Sequence, residues 1–273
     1  MNASLQHAPL GKQSSYIATY QRDLLFPVPR KGKREEIGIS SLLPFKGKDI
    51  WNGFELSWLN AKGKPVVACA EFIFPCEAPN LIESKSFKLY LNSFNNTKFD
   101  SFAAVENTLI QDLSETAGAP VIVKLFPISH ASEKLVPHFS GTSLDHLDIA
   151  CDTYTIQPAY LKTDDQTVTE TLYSDLLKSN CLVTGQPDWA SIQIAYTGKK
   201  IQHEGLLKYI VSFRNHDEFH EQCVERIFID ITNYCAPEKL LVYARYTRRG
   251  GLDINPYRAN YPVEMENIRL WRQ

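Results

Sequence analysis

The sequence predicts an α+β protein built from two similar modules of strands and helices. Each half of the chain has the predicted order strand, strand, helices, strand. The halves also share a faint identity, since Lys88 precedes Ser93-Phe94 and Lys208 precedes Ser212-Phe213 about 119 residues later. The length of 273 residues corresponds to a little less than two domains of roughly 150 residues. These observations favour an internal duplication, with one module over residues 1–150 and the other over residues 151–273.

The first half opens its regular structure with a hairpin. Apolar residues alternate over 54–58, residues 60–65 have turn chemistry, and residues 66–74 are rich in β-formers. A helix is expected over 102–113 and a short buried strand over 119–127.

The second half repeats this plan. Alternation predicts a strand over 191–196, residues 197–200 predict a turn, and Ile201 resumes the β pattern. A helix is expected over 216–233, and residues 240–246 predict the closing strand. The apolar stripe of that helix consists of residues four apart, Phe219, Cys223, Ile227 and Ile231.

Composition excludes several classes of protein. Hydrophobic residues make up 44% and charged residues 22% of the chain, which is typical of a folded globular protein. The net charge of −2 provides no general field for nucleic acid or an anionic membrane, and no run of 18 apolar residues predicts a membrane span. The six cysteines form no CxxC pair, and the polar first fifteen residues lack the apolar core of a signal peptide. We therefore expect a cytoplasmic protein with free thiols.

Cys181 is the first candidate for chemistry. It stands between a helix-like run over 172–178 and a Gly/Pro loop, so we expect it to be exposed. Asp188 follows seven residues later, at the start of the second hairpin. A thiol can add to an electrophile while a carboxylic acid protonates the resulting anion. The alternative is an ordinary loop thiol beside an ordinary turn carboxylate.

Two histidines, His216 and His220, are four residues apart on the helix expected over 216–233 and would share one face. They are half of a zinc site, but no third ligand has a suitable spacing, so we expect no metal. The alternatives are a solvated helix face, or acid–base work by His220 with Glu221 at the helix start.

Three charged segments could bind anions. The segment 83–90 combines Glu83 with two lysines, which could bind an anion and a polar heterocycle or simply start a charged helix. The chain has no P-loop and no GxGxxG turn, so any nucleotide phosphate is held differently. The segment 248–251, Arg-Arg-Gly-Gly, could bind a phosphate or form a charged surface turn. The cluster 30–36 predicts a solvated loop, with a phosphate contact as the alternative.

Four of these segments together resemble one family. Residues 83–94, 177–189, 218–223 and 243–251 are similar, in the same order, to the motifs of the NADPH-dependent 7-cyano-7-deazaguanine reductases, the QueF nitrile reductase family. The likeness extends from about Asp49 to Pro256 and follows the order of the longer, two-module members.

The resemblance implies two tandem tunnelling-fold modules, each an antiparallel sheet with helices on one face. It implies reduction of a nitrile to a primary amine with two NADPH, in queuosine synthesis for tRNA. Cys181 would form a covalent thioimide, Asp188 would deliver the proton, and His220 would orient the substrate and assist proton movement.

The resemblance also implies binding residues and an assembly. The residues expected to bind the deazapurine substrate are Glu83, Ser84, Lys85, His220 and Glu221, and those expected to bind NADPH are Lys85, Ser86, Arg249 and Gly250. A homodimer is expected, because a barrel of four modules needs two such chains. The alternatives are a hydrolase that uses Cys181 with His220, and a purine-binding module without catalysis.

Overall fold

A computed structural model describes residues 16–40, 42–128 and 135–273; residues 1–15, Ser41 and 129–134 lie outside the described part, including the segment considered for a signal peptide. In chain order the helices and strands are β1 (Pro27–Pro29), α1 (Lys31–Glu36), β2 (Lys46–Leu59), β3 (Pro65–Pro75), β4 (Asn80–Ile82), α2 (Ser84–Ser93), α3 (Phe102–Ala117), β5 (Ile122–Pro127), β6 (Leu135–Val136), β7 (Thr142–Ser143), β8 (Thr163–Asn180), β9 (Pro187–Ile201), α4 (His203–Ser212), α5 (His220–Cys235), β10 (Lys239–Tyr246), β11 (Leu252–Ala259) and β12 (Arg269–Leu270).

The residues form two compact units. Among the described residues, the first unit comprises 16–33, 49–128 and 248–253, and the second comprises 34–40, 42–48, 135–247 and 254–273. The α+β class is confirmed, because long paired strands and separate helices make up the chain. The predicted boundary between two modules at residue 150 stays a prediction.

In the first unit, β2 and β3 form the predicted hairpin and β5 pairs antiparallel with β3. The turn is organised by Asn60, whose Oδ1 accepts hydrogen bonds from the backbone N–H groups of Lys62 and Lys64, each at 3.0 Å. This is the local bonding that favours asparagine in turns. Helix α3 starts at the predicted residue, with Ser101 as its N-cap.

In the second unit, the hairpin of β8 and β9 is the longest feature. β10 pairs antiparallel with β9 from Lys239↔Thr197 to Tyr246↔Ala190, and β11 pairs antiparallel with β10. The short strand β7 adds to β8 in parallel. The ladder from β7 to β11 therefore gives a rigid frame to the loop that joins β8 to β9.

The two units contain helix pairs of equal length. α2 and α4 have ten residues each, and α3 and α5 have 16 residues each. α2 and α4 both end in Ser followed by a Phe cap, which is the identity seen between the halves of the sequence. None of the described helices is long and apolar enough to cross a membrane.

One buried polar contact recurs in both units. Tyr90 donates its hydroxyl to Asp112 at 2.6 Å in the first unit, and Tyr209 donates to Asp230 at 2.7 Å in the second. Each tyrosine lies on the shorter helix and each aspartate on the longer one. A contact of the same type at the same place in both units supports the internal duplication.

Two predictions for the second half were wrong. Residues 172–178 are strand rather than helix, because a register shift between Ser174 and Leu177 buries both Tyr173 and Leu177, which are four residues apart and so mimic helical spacing. Residues 197–200 are not a turn, because β9 continues there in register with β8. A Cβ on Gly198 would lie 2.9 Å from Pro237 Cα, so a close backbone approach calls for this glycine.

The charged cluster 30–36 is also not a solvated loop. Arg30 and Arg34 are buried, and α1 occupies most of the segment. Arg30 Nη2 lies 2.5 Å from Asp49 Oδ2, and Arg34 Nη2 lies 2.7 Å from Glu225 Oε1. Buried guanidinium groups need such carboxylate partners, and Glu225 is far away in the sequence.

Candidate functional site

The candidate nucleophile stands at the end of the β8–β9 hairpin. The last ladder pair is Asn180↔Pro187, and Cys181 is the next residue. Its backbone N–H donates to Gln186 O at 2.8 Å and its carbonyl accepts from Gly185 N at 3.0 Å, so the loop is closed on itself. Gly185 takes φ +65°, which favours glycine. Cys181 is only 6% exposed, so the expectation of an exposed thiol was wrong.

Asp188 lies on the other strand of the same hairpin, paired with Ser179. It is buried, and its Oδ2 is 3.3 Å from His220 Nε2. The structure thus brings together Asp188 of the hairpin and His220 of α5, two of the three residues predicted for catalysis, and the same hairpin carries Cys181 in its loop.

His220 is the first residue of α5. Its imidazole stacks on the ring of Tyr246, with centroids 3.8 Å apart and planes within 2°. Its Nδ1 is buried and has no hydrogen-bond partner among the described residues. Sequence analysis missed Tyr246 as part of the site, although it lies within the family-like segment 243–251.

A short segment before α5 fixes the start of this helix. Asn180 N donates to His216 O at 2.8 Å, and Glu218 N donates to Asn180 O at 3.1 Å. The backbone at His216 is therefore extended, and the prediction that His216 and His220 share a helix face was wrong. No cluster of three or more His, Cys, Asp or Glu side chains that could hold a metal occurs in the described part of the chain.

The Glu218 carboxylate is buried and holds this segment. It accepts hydrogen bonds from Arg226 Nε at 3.0 Å and Nη2 at 2.7 Å, and it lies 2.9 Å from His216 Nε2. Burial alone would raise the pKa of Glu218, but the hydrogen bonds from His216 and Arg226 and their charges lower it to about 2. Glu218 was not singled out from the sequence, because its arginine partner is eight residues away and no motif marks the pair.

Glu221 is buried in the first turn of α5. The unpaired N–H groups at a helix start favour a negative charge there. A buried carboxylate at this position is suited to accept N–H groups from a ligand or from the helix.

In the first unit, Glu83 caps helix α2. Its carboxylate accepts hydrogen bonds from the backbone N–H groups of Lys85 at 2.6 Å and Ser86 at 2.8 Å. Burial raises the pKa of Glu83, and these hydrogen bonds and the charges of Lys88 and Lys85 oppose the rise. Ser84 and Lys85 are half-buried at the helix start.

Ser86 has a structural role in the same turn. Its hydroxyl donates to Glu83 O at 2.7 Å and accepts from Phe26 N at 3.0 Å. The side chain is fully buried, so its oxygen holds the segment in place.

The segment 248–251 forms a glycine turn in the first unit. Gly250 and Gly251 take φ values of +60° and +74°, and the guanidinium of Arg248 lies over the Phe54 ring at 4.3 Å. A Cβ on Gly250 would lie 3.4 Å from Lys88 Nζ, so a cationic side chain lies against the turn. Positive side chains around a glycine turn fit a phosphate group.

Comparison with known proteins gives two family matches and close relatives. Residues 16–125 match the family model described as "Nitrile reductase, 7-cyano-7-deazaguanine-reductase N-term", and residues 187–264 match "QueF-like protein". Proteins from Burkholderia ambifaria, Burkholderia lata and Burkholderia multivorans are each 58% identical over 271 residues, which covers 98% of this chain and 99% of each relative. All three are named NADPH-dependent 7-cyano-7-deazaguanine reductase.

A crystal structure of the archaeosine synthase QueF-Like in the apo form is also similar. It is 14% identical, covers 37% of this chain and 99% of that chain, and has a TM-score of 0.32. That level of similarity supports no inference about this chain.

Proposed function

The chain belongs to the family of NADPH-dependent 7-cyano-7-deazaguanine reductases, and from this premise we propose that it reduces the nitrile through a covalent thioimide on Cys181. It is an NADPH-dependent oxidoreductase that acts on a small deazaguanine. The observation that carries the proposed mechanism is the 3.3 Å contact between Asp188 and His220 beside the loop that begins with Cys181.

The position of the thiol supports addition to the nitrile carbon. Residues paired in an antiparallel ladder point to the same face, so Ser179 and Asp188 share a face. Cys181 is two residues beyond Ser179 and one beyond the last ladder pair, and its N–H still bonds across the hairpin to Gln186 O, so we propose that its side chain points to that face as well. Diagonal neighbours in a ladder are about 7–8 Å apart, which leaves room for a small group between thiol and carboxyl.

The Cys181 sulfur bonds to the nitrile carbon, and a proton passes through Asp188 to the nitrile nitrogen, which gives the thioimide. NADPH, when bound, supplies hydride to that carbon, once before and once after the C–S bond breaks. Cys181 leaves as thiolate between the two reductions, and two hydrides and two protons convert the nitrile to the primary amine.

We assign Asp188 the proton-transfer role because it is buried beside an imidazole. His220 orients the substrate and exchanges a proton with Asp188 through Nε2. Its buried Nδ1 has no hydrogen-bond partner in the described part of the chain, which supports a hydrogen bond from this atom to a bound substrate.

We further propose that Glu83, with Ser84 and Lys85, and Glu221, with His220, bind the heterocycle. Each oxygen of Glu83 accepts one backbone N–H, and a carboxylate oxygen has two lone pairs. One lone pair on each oxygen therefore stays available for paired N–H groups of a guanine-like ring.

For NADPH we propose contacts from Lys85, Arg249 and Gly250, with Ser86 holding the Glu83 turn. The fit rests on the positive-φ glycines and the lysine against them, which form a cradle for a phosphate. This agrees with the absence of a Rossmann turn in the sequence.

The assay that tests the mechanism is NADPH consumption per nitrile. We expect two NADPH oxidised for each 7-cyano-7-deazaguanine consumed, and a protein adduct with the mass of the substrate before NADPH is added. Cys181→Ala should lose both NADPH oxidation and the adduct, whereas the matched control Cys151→Ala should keep both. NADPH oxidation that survives in Cys181→Ala would overturn the mechanism, and nitrile consumption without NADPH would indicate a hydrolase.

Asp188→Asn separates binding from proton transfer. We expect substrate affinity within about twofold of wild type and a rate reduced by about 10²–10⁴. An unchanged rate would remove Asp188 from the mechanism.

We also propose that the enzyme acts as a homodimer in the cytoplasm, on a free base rather than on tRNA, with its product used in queuosine synthesis. Sedimentation should give twice the chain mass of 31.1 kDa. A fully active monomer would overturn the dimer.

A further inference from the structure

The chain after β11 ends in a buried side-chain amide. Gln273, the last residue of the sequence, is 9% exposed. Its Oε1 accepts hydrogen bonds from Arg245 Nε at 2.6 Å and Leu270 N at 3.1 Å. Its Nε2 donates to Tyr246 O at 3.0 Å and Asn255 Oδ1 at 2.8 Å. Both donors and both acceptor positions of the amide are thus used.

These contacts hold both backbone polar groups of Tyr246. Gln273 donates to the Tyr246 carbonyl, and Asn255 Oδ1, itself bonded to Gln273, accepts from Tyr246 N at 3.3 Å. The Tyr246 ring is fully buried. Because a buried ring moves with its backbone, Gln273 and Asn255 help to set where this ring lies, together with the ladder to β9 in which Tyr246 pairs with Ala190.

The Tyr246 ring in turn supports the imidazole of His220. The rings are parallel within 2° at 3.8 Å, and Nε2 of the imidazole lies 3.3 Å from Asp188 Oδ2. The carboxylate fixes one atom, while the flat face of Tyr246 fixes the plane of the ring. A displacement of about 1 Å at a catalytic group can cost up to 10²-fold in rate.

We infer that Gln273 is a positioning residue for His220, acting through Tyr246. The inference rests on the proposed role of His220 in the reaction. It gives a function to the part of the chain after Asn260, to which sequence analysis assigned none.

Two variants of Gln273 and one control test the inference. Gln273→Glu keeps an oxygen for Arg245 but presents a second oxygen, instead of N–H, to Tyr246 O. Gln273→Met keeps the length and loses all four hydrogen bonds, and it replaces the first variant if that one does not fold. Arg272→Gln changes the exposed neighbour.

The first readout is the rate of adduct formation in a single turnover. We expect Gln273→Glu to reduce it about tenfold with substrate affinity within twofold, and Arg272→Gln to match wild type. In a His220→Ala background, Gln273→Glu should cause no further loss, because both changes act on the same group. A wild-type rate in Gln273→Glu, or an equal loss in both backgrounds, would overturn the inference.

The second readout does not depend on catalysis. In a spectrum of protein labelled at histidine, the Tyr246 ring current shifts the His220 ring signals. Gln273→Glu should move these signals and Arg272→Gln should not. If His220→Ala kept the wild-type rate, the proposed role of His220 would fail, while this spectrum would still decide whether Gln273 fixes the imidazole. Unchanged signals in Gln273→Glu would refute the positioning.

Discussion

Replacing Glu218 with Gln should destabilise the enzyme at neutral pH and much less in acid. The Glu218 carboxylate is 1% exposed and holds Arg226 and His216 through hydrogen bonds of 2.7–3.0 Å. Glu218→Gln keeps the shape of the side chain but removes its charge. The variant leaves the partly buried Arg226 without its counter-charge. Removing one partner of a buried ion pair destabilises the fold more than replacing both partners with apolar residues.

The magnitude follows from the pKa of Glu218. A drop from 4.5 to about 2 in the folded state means that the charged form stabilises the fold above pH 4.5. At about 1.4 kcal/mol for each pH unit, the contribution at pH 7 is about 3 kcal/mol. Because the folded pKa is lowered, this stability is lost as the pH falls from 4.5 towards 2. At pH 3 about 1.4 kcal/mol should remain.

The assay is urea unfolding of wild type and Glu218→Gln between pH 7 and pH 3. The stability difference should shrink by about 2 kcal/mol over this range. The matched control is Asp217→Asn, an exposed carboxylate one residue away. Its stability difference should stay within about 0.5 kcal/mol at every pH. If the stability difference between wild type and Glu218→Gln stayed constant from pH 7 to pH 3, the charge of Glu218 would not be the source of the stability.

Three further predictions concern single side chains. Glu83→Gln should weaken substrate binding at least tenfold, measured by calorimetry, because it replaces a carboxylate oxygen with an amide nitrogen in the proposed contact with the base. An unchanged affinity would mean that Glu83 is not part of the binding site. Tyr209→Phe should cost about 1–3 kcal/mol in urea unfolding, because Asp230 loses a buried donor; no loss would contradict a stabilising contact. Gly141→Ala should lower the melting temperature, because Gly141 has a φ of +116° and the new Cβ would clash with the backbone oxygen of Thr171. The control Gly32→Ala should not lower the melting temperature, because the space around Gly32 is open.

The first half of the fold was more predictable than the second. Regular alternation and turn residues predicted the hairpin of β2 and β3, and α3 began at the residue expected from its periodicity. In the second half, the bulge between Ser174 and Leu177 broke the alternation that identifies a strand. A bulge depends on the partner strand, so a single sequence does not show it.

The residues of the candidate site also differ in how well the sequence predicts them. Cys181, Asp188 and His220 could be singled out because motif-like segments contain them. The groups that hold them could not, because Glu218, Tyr246 and Gln273 act through contacts that only the fold creates. Arg30 and Arg34 were misjudged for the same reason, since their carboxylate partners come from other segments.

The duplication helps to explain where the site residues lie. In the first unit the shorter helix α2 carries the polar start, with Glu83 as a bonded cap, whereas Gln202 before α4 makes no side-chain cap bond. In the second unit the longer helix α5 carries the polar start, with His220 and Glu221, whereas α3 begins at Phe102. The residues proposed to bind ligands therefore lie at the start of the shorter helix in the first unit and at the start of the longer helix in the second. We expect such a division when two copies of a module are retained in one chain, because each copy can keep a different part of a shared function.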